Sequence, residues 1–231
     1  YEYKDSDNKT CFYVRRYEPY SKGNDSSKKR IVPYSYDLIS ATWVTKAWSK
    51  DRPLFHESRL CKDKEVIIPE GEKAVLEAGK IFKDYDCVTW SGGSKAVSKT
   101  NFEALEGKKV ILFPDNDKAG ELAMHEVAKK LIEEGITEDV HLVDIPKELP
   151  EGWDLADHIN PKTGITIQGI LDSHKEYDPD EHEKIWKKIN IRTEKKAIEN
   201  KVENFLDMYI YIRSLTSFYE LKSNEIITKE M

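Results

Sequence analysis

Four short apolar runs, at 66–69, 87–90, 110–113 and 140–143, constrain the fold of this chain more than any other feature. Each is four residues long and contains no Lys, Arg, Asp or Glu. That is the pattern of a strand buried on both faces of a sheet. Helical periodicity fills two of the gaps. Ala74, Leu76, Ala78 and Ile81 recur over 73–82. Ala119, Leu122, Ala123, Val127, Leu131 and Ile132 recur at threes and fours over 118–134, and Gly135 is placed to stop that helix. Strands alternating with helices imply βαβ units, hence an α/β fold with a mostly parallel four-stranded sheet flanked by helices.

Flanking segments are expected on either side of this core. Within 1–52, residues 11–17 have the composition of a strand, 21–27 form a polar turn and 30–34 form a returning strand. This predicts an N-terminal basic α+β extension. Pro53-Leu54-Phe55 marks the entry to a core spanning 53–160. Residues 161–231 are expected to be a C-terminal helical region or a linker to a further domain. An apolar stripe of Ile198, Val202, Phe205, Leu206, Tyr209 and Ile212 predicts a helix over 193–213. With 231 residues there is room for one or two domains. No apolar run approaches ~20 residues and no signal-peptide pattern opens the chain, so a cytoplasmic protein with no membrane contact is expected. Cys11, Cys61 and Cys87 form no C-x-x-C pair, which argues against a four-ligand zinc site and for reduced thiols.

Two of the apolar runs stop at carboxylates. The run at 66–69 leads into Glu70-Gly71-Glu72-Lys73, and the run at 110–113 into Pro114-Asp115-Asn116-Asp117. Ligands of open α/β sheets bind at the carboxyl ends of strands. Carboxylates gathered there are hard oxygen ligands of the kind that, with substrate phosphates, hold Mg2+. Asp115 and Asp117 lie two apart and share a side if the chain stays extended. The same four residues are equally a turn and N-cap for the helix beginning near Lys118. Gly92-Gly93-Ser94-Lys95 is either a glycine turn or a loop whose amides approach a phosphate, with Lys95 as a point charge. Asp154 and Asp157, three apart, either join the metal site or cap their own turn.

The net charge is −6, but residues 9–30 carry +5 and the remainder −11. Arg15, Arg16, Lys28, Lys29 and Arg30 are therefore candidate contacts for nucleic-acid phosphate, the alternative being an ordinary solvated hairpin.

The order VIIPEGEKA (66–74), VTWSGGSKA (88–96), VILFPDNDKAGELA (110–123) and GWDLAD (152–157) resembles the Toprim domains of phage- and plasmid-type primases and primase-helicases. The resemblance covers about 53–160. It implies that Glu70, Asp115 and Asp117 are catalytic and hold Mg2+, or Mn2+ in its place, with Asp154 or Asp157 at a later acidic position. Lys73, Gly92, Gly93, Lys95 and Lys118 then face phosphate or nucleotide. Pro69 stands where related chains carry an aliphatic residue, and no cysteine set for a zinc ribbon is present. The implied activity is that of a metal-dependent primase core, a DNA-directed RNA polymerase fragment. It would make primers on single-stranded DNA from nucleoside triphosphates, beside a fused or separate replicative helicase. The alternatives are a Toprim-type nuclease, a topoisomerase-like module and a non-catalytic nucleic-acid-binding module. None of the twelve tyrosines stands in a motif that marks a topoisomerase nucleophile.

Overall fold

The computed structural model describes residues 1–17, 21–22, 25–26, 30–49 and 51–180. Lys28, Lys29 and the helix expected over 193–213 lie outside the described residues. Tyr1–Pro179 form one compact unit.

The core sheet is built from β7 (Val66–Pro69), β8 (Asp86–Cys87), β9 (Val110–Phe113) and β10 (Val140–Leu142), all parallel. A fifth strand, β11 (Lys175–Glu176), pairs antiparallel with β10, giving the order β11-β10-β9-β7-β8. The sheet thus has five strands rather than the four expected. The extra strand is two charged residues on an edge, too short to carry any periodicity and of the kind that blunts edges against further pairing. The second strand is also shorter than expected, ending at Cys87. Beyond it Val88 N still donates to Ile67 O at 3.1 Å, Thr89 bridges to Phe55, and all of Val88, Thr89 and Trp90 are buried.

The unbroken apolar runs are explained by two cores. Successive strand residues point to opposite faces. Ile67, Ile111 and Phe113 join one cluster, and Val66, Ile68, Val110 and Leu112 join the other. Helix α1 (Glu72–Ile81) covers the first face and α2 (Lys118–Glu133) the second. The α1 stripe differs from the one expected. It buries Ala74, Val75 and Ala78, while Leu76 and Ile81 are exposed. α2 ends as expected, with Gly135 at φ +67°, a conformation disfavoured for residues with a Cβ. A short helix, α3 (Ile167–Leu171), adds Ile170 and Leu171 to the first cluster.

The described part of 1–52 is an antiparallel sheet with no helix among the described residues, rather than the α+β extension expected. It comprises β1 (Glu2–Lys4), β2 (Thr10–Tyr17), β5 (Arg30–Asp37) and β6 (Thr42–Val44) in that order, with a small ribbon of β3 (Ser21–Lys22) and β4 (Asp25–Ser26) at the turn. Its inner face is continuous with the first core. Tyr3 stacks on Phe12 at 4.3 Å, and both lie in the cluster containing Ile67 and Phe113. The Tyr3 hydroxyl donates to Glu72 Oε1 at 2.7 Å. Burial, then the Glu72 charge, pushes the Tyr3 phenol well above its ordinary pKa, so it stays a donor. Among the described residues no helix is long and apolar enough to cross a membrane. All three cysteines are free thiols, and burial pushes Cys87 up to about 12, which makes it inert as a nucleophile at neutral pH.

Candidate active site

Pro69 is the last residue of β7 and pairs with Phe113, the last of β9. Proline has no N–H to donate, so its place in a central strand is at the end of the ladder. Gly71 follows at φ +85°, ψ 153°, a conformation open to glycine, and its amide donates to the buried Thr89 hydroxyl at 3.2 Å. The chain therefore turns sharply into α1 and leaves Glu70 at the carboxyl edge. Neighbouring strands lie about 4.8 Å apart, so Glu70 and the Asp115 segment start from adjacent strand ends.

Asn116 fixes the next part of the edge. Its side-chain amide donates to the carbonyls of Leu149 and Pro150, both at 2.9 Å. Its backbone exchanges bonds with Trp153 O and Gly152 N at 2.8 and 2.9 Å. This zips the 149–153 loop to the end of β9 and brings in Asp154. Helix α2 presses against the same segment. A Cβ added at Gly120 would lie 2.7 Å from the Asp115 carbonyl oxygen and 2.8 Å from its nitrogen.

The result is a cleft of about 440 Å³ whose lining includes Glu70, Glu72, Asp115 and Asp154 together with Arg16, Arg52 and Lys73. Gly92 and Gly93, at φ +101° and +67°, form part of its wall. A Cβ at Gly92 would sit 2.9 Å from Ala96 Cβ and 3.0 Å from Arg52 Nη1, so the loop is packed too closely for a side chain. Arg52 is 7% exposed. Its Nε donates to Trp48 O at 2.9 Å and its Nη1 to Ser91 O at 3.2 Å, which clamps the glycine loop in place. Burial holds its pKa below the ordinary arginine value, and its charge faces into the cleft.

Of the residues singled out in the sequence, Glu70, Asp115, Asp154, Lys73, Gly92, Gly93 and Arg16 line this cleft. Asp117, Asp157, Lys95 and Lys118 are not part of its lining. Asp117 is the N-cap of α2, its Oδ1 accepting from Gly120 N at 2.7 Å. Asp154 and Asp157 hold their own turn. Asp154 Oδ1 accepts from Ala156 N at 2.7 Å, and Asp157 Oδ2 from Asp154 N at 3.2 Å. Arg15 and Arg30 lie across the N-terminal sheet from Arg16, because Arg15 is one residue away on a pleated strand. Sequence reasoning missed Arg52, Glu72 and Asn116. No motif marks Arg52, Glu72 stands in the Glu70-Gly71-Glu72-Lys73 segment beside the more prominent Glu70, and Asn116 sits inside a turn sequence that already explains it.

Among the described residues, no three His, Cys, Asp or Glu side chains are gathered closely enough to hold a metal ion by themselves. The all-oxygen donor set of the cleft still suits Mg2+, which takes one or two carboxylates and completes its shell with waters and substrate phosphates. The capping bond predicts how Asp117 separates its two readings. Asp117→Ala should cost about 1 kcal/mol by loss of the cap, whereas Asp117→Asn retains an acceptor and should melt within a few tenths of a kcal/mol of the parent. Activity of the Asn variant then decides the rest: retained activity leaves Asp117 a cap only, and lost activity makes its charge part of the site.

A model of the Toprim-like family matches residues 67–158. Residues 67–158 are thus similar to a Toprim-like domain. The match takes in every cleft carboxylate named above. No curated protein matches the chain. Among solved structures, one similar chain comes from a bacteriophage T7 lagging-strand DNA polymerase interacting with primase domains of two gp4 subunits bound to an RNA/DNA hybrid and dTTP. It has 16% identity and a TM-score of 0.38, with 63% of this chain and 64% of that one covered. The primase fragment of the bacteriophage T7 primase-helicase is similar at 19% identity and TM-score 0.40, over 63% of this chain and 52% of that one. A DNA primase domain from Pseudomonas aeruginosa is similar at 14% identity and TM-score 0.42, over 68% and 44%. This chain spans between 44% and 64% of the length of these three.

Proposed function

We propose that the cleft is a Mg2+-dependent nucleotidyl-transfer site and that the protein is a primase core, synthesising RNA primers on single-stranded DNA. The observation that carries this reading is the meeting of Glu70, Asp115 and Asp154 with Lys73, Arg16 and Arg52 at the carboxyl edge of a parallel sheet. Carboxylates alone would suit a cation, and cations alone an anion. The two together suit a metal-bound triphosphate.

Glu70 and Asp115 would hold Mg2+, or Mn2+ in its place, which when bound neutralises phosphate charge and makes an attacking hydroxyl more acidic. Lys73, Arg16 and Arg52 bind and orient the triphosphate by charge, and Arg52 does so from a buried position that excludes water. The Gly92–Gly93 wall lets the ligand approach the backbone closely. A 3′-hydroxyl oxygen would bond to the α-phosphorus as pyrophosphate leaves, and Glu70 would receive the hydroxyl proton. Template and a replicative helicase, fused or separate, are the partners this reading calls for.

The test is incubation of the full chain with single-stranded DNA, four nucleoside triphosphates and Mg2+ or Mn2+. New oligonucleotides that depend on the template are expected. Shortened template without synthesis would replace this reading with a nuclease.

A further inference from the structure

The N-terminal sheet has a second face, turned away from the cleft. On β2, Phe12 and Val14 are buried and Arg16 lines the cleft, so Tyr13, Arg15 and Tyr17 point outward. Register carries this face across the sheet. Tyr13 pairs with Tyr34, Arg15 with Val32, Tyr17 with Arg30, and Tyr36 with Trp43. Five aromatic rings and two guanidinium groups therefore share one surface.

The rings form connected groups. Trp43 meets Tyr13 at 4.9 Å and Tyr36 at 5.5 Å, edge to face in both cases. The Tyr17 and Tyr34 hydroxyls lie 3.3 Å apart. Arg15 lies over the Tyr17 ring at 4.8 Å, and Arg30 is near the same ring at 5.7 Å. Cross-strand aromatic pairs do support a sheet. That role alone does not require the rings to face water, yet Tyr13, Tyr17, Tyr36 and Trp43 are 37%, 36%, 43% and 43% exposed. Tyr13, Arg15, Tyr34 and Trp43 also border a shallow hollow of about 400 Å³. Exposed aromatic rings that touch one another, rather than lie scattered, mark a candidate interaction site. The local charge selects the partner: Arg15 and Arg30 lie on this face, and Glu2 at its edge, which accepts from the Tyr13 hydroxyl at 3.0 Å, is paired with Lys4 at 3.5 Å, so the balance is cationic on a chain of net charge −6.

We propose that this outer face is a stacking platform for single-stranded nucleic acid. Bases lie on Tyr and Trp rings or on the arginine planes, and the guanidinium N–H groups take phosphate. Single strands suit such a surface because every base has a flat face once it leaves the duplex. The proposal shares a single-stranded ligand with the primase reading but does not rest on it. The cleft and the platform lie on opposite sides of one sheet, and binding here needs no catalysis.

The experiment is fluorescence anisotropy of labelled oligothymidylate with the full chain, over a range of salt. A Tyr36→Ala, Trp43→Ala double variant should weaken binding on the order of tenfold or more, while Trp43→Phe keeps most of it. Loss of stacking should leave the slope of log affinity against log salt unchanged. An Arg15→Gln, Arg30→Gln variant should instead flatten that slope by about 1.4, from roughly 0.7 for each lost contact. Binding is read in chelator without nucleoside triphosphates, so a failure of the catalytic reading would leave this result standing. Unchanged affinity in a folded Tyr36→Ala, Trp43→Ala protein overturns the proposal, as does equally tight binding of duplex. If the double variant does not fold, photocrosslinking of an iodouridine oligonucleotide to the parent decides. Adducts on Tyr13, Tyr34, Tyr36 or Trp43 support the platform, and adducts confined to cleft residues overturn it. A self-association through this face that oligonucleotide does not disrupt also overturns it.

Discussion

Asp115→Asn should reduce template-dependent synthesis on the order of 10³-fold without unfolding the protein. The side chain leaves the carboxyl end of the central strand β9 and lines the cleft with Glu70 and Asp154. Asparagine keeps its size and one acceptor oxygen but removes the charge that a cation needs. Ligand charge and metal positioning are worth several kcal/mol of transition-state stabilisation, and each 1.4 kcal/mol is about tenfold in rate. Stability should move the other way or not at all. Glu70, Glu72 and Asp154 line the same cleft, so removing one negative charge there adds no like-charge repulsion. Thermal melts in chelator should show an equal or higher midpoint. Primer yield, scored beside those melts, checks both parts, and full synthesis by the variant would remove Asp115 from the mechanism.

Gly120→Ala should be nearly as damaging to activity, for a reason that has nothing to do with charge. In most helices alanine is the better residue, by about 0.5–1 kcal/mol. At Gly120 the new methyl would overlap the Asp115 backbone, at 2.7 Å from its oxygen and 2.8 Å from its nitrogen. Backbone cannot swing aside as a flexible side chain can, so either α2 or the end of β9 must shift. We expect about 1–3 kcal/mol of destabilisation. A displacement of order 1 Å at Asp115 costs on the order of 10²-fold in rate. The control is Gly79→Ala in α1, where nothing lies within 4 Å of the added Cβ and the position is exposed. That variant should gain about 0.5–1 kcal/mol and keep its activity. Denaturant melts of the two variants should therefore move in opposite directions, and a stabilised Gly120→Ala would show that α2 does not buttress the site.

The resemblance carried by 66–74, 88–96 and 110–123 was readable without coordinates because it rests on local chemistry. Apolar runs without charge define β7 and β9 to the residue, and Gly135 ends α2 where its turn chemistry says it should. Glu70 and Asp115 were legible for the same reason, since each follows directly from a strand that stops. The α1 stripe was misread because Leu76 and Ile81 are apolar by composition, whereas the register of the helix against β7 and β8 decides that Val75 goes inside. Asp117 shows the limit most clearly. Its spacing from Asp115 fits a ligand and its place before Lys118 fits a cap, and only the bond from Gly120 N shows that the cap is made.

Local pattern thus determined the strands, the helices and the two central carboxylates, because periodicity and turn preference act over a few residues. Tertiary structure alone decided what gathers around them. Asp154 arrives through the bonds of Asn116 to the 149–153 loop, more than thirty residues along the chain. Arg52 becomes a buried cation of the cleft by holding Ser91 across 39 positions. The pleat separates Arg15 from Arg16, but which of them faces the cleft depends on the packing of Phe12 and Val14 against the core. Each of these depends on groups far apart in sequence meeting in space, and such long-range contacts leave no periodic signal in the sequence.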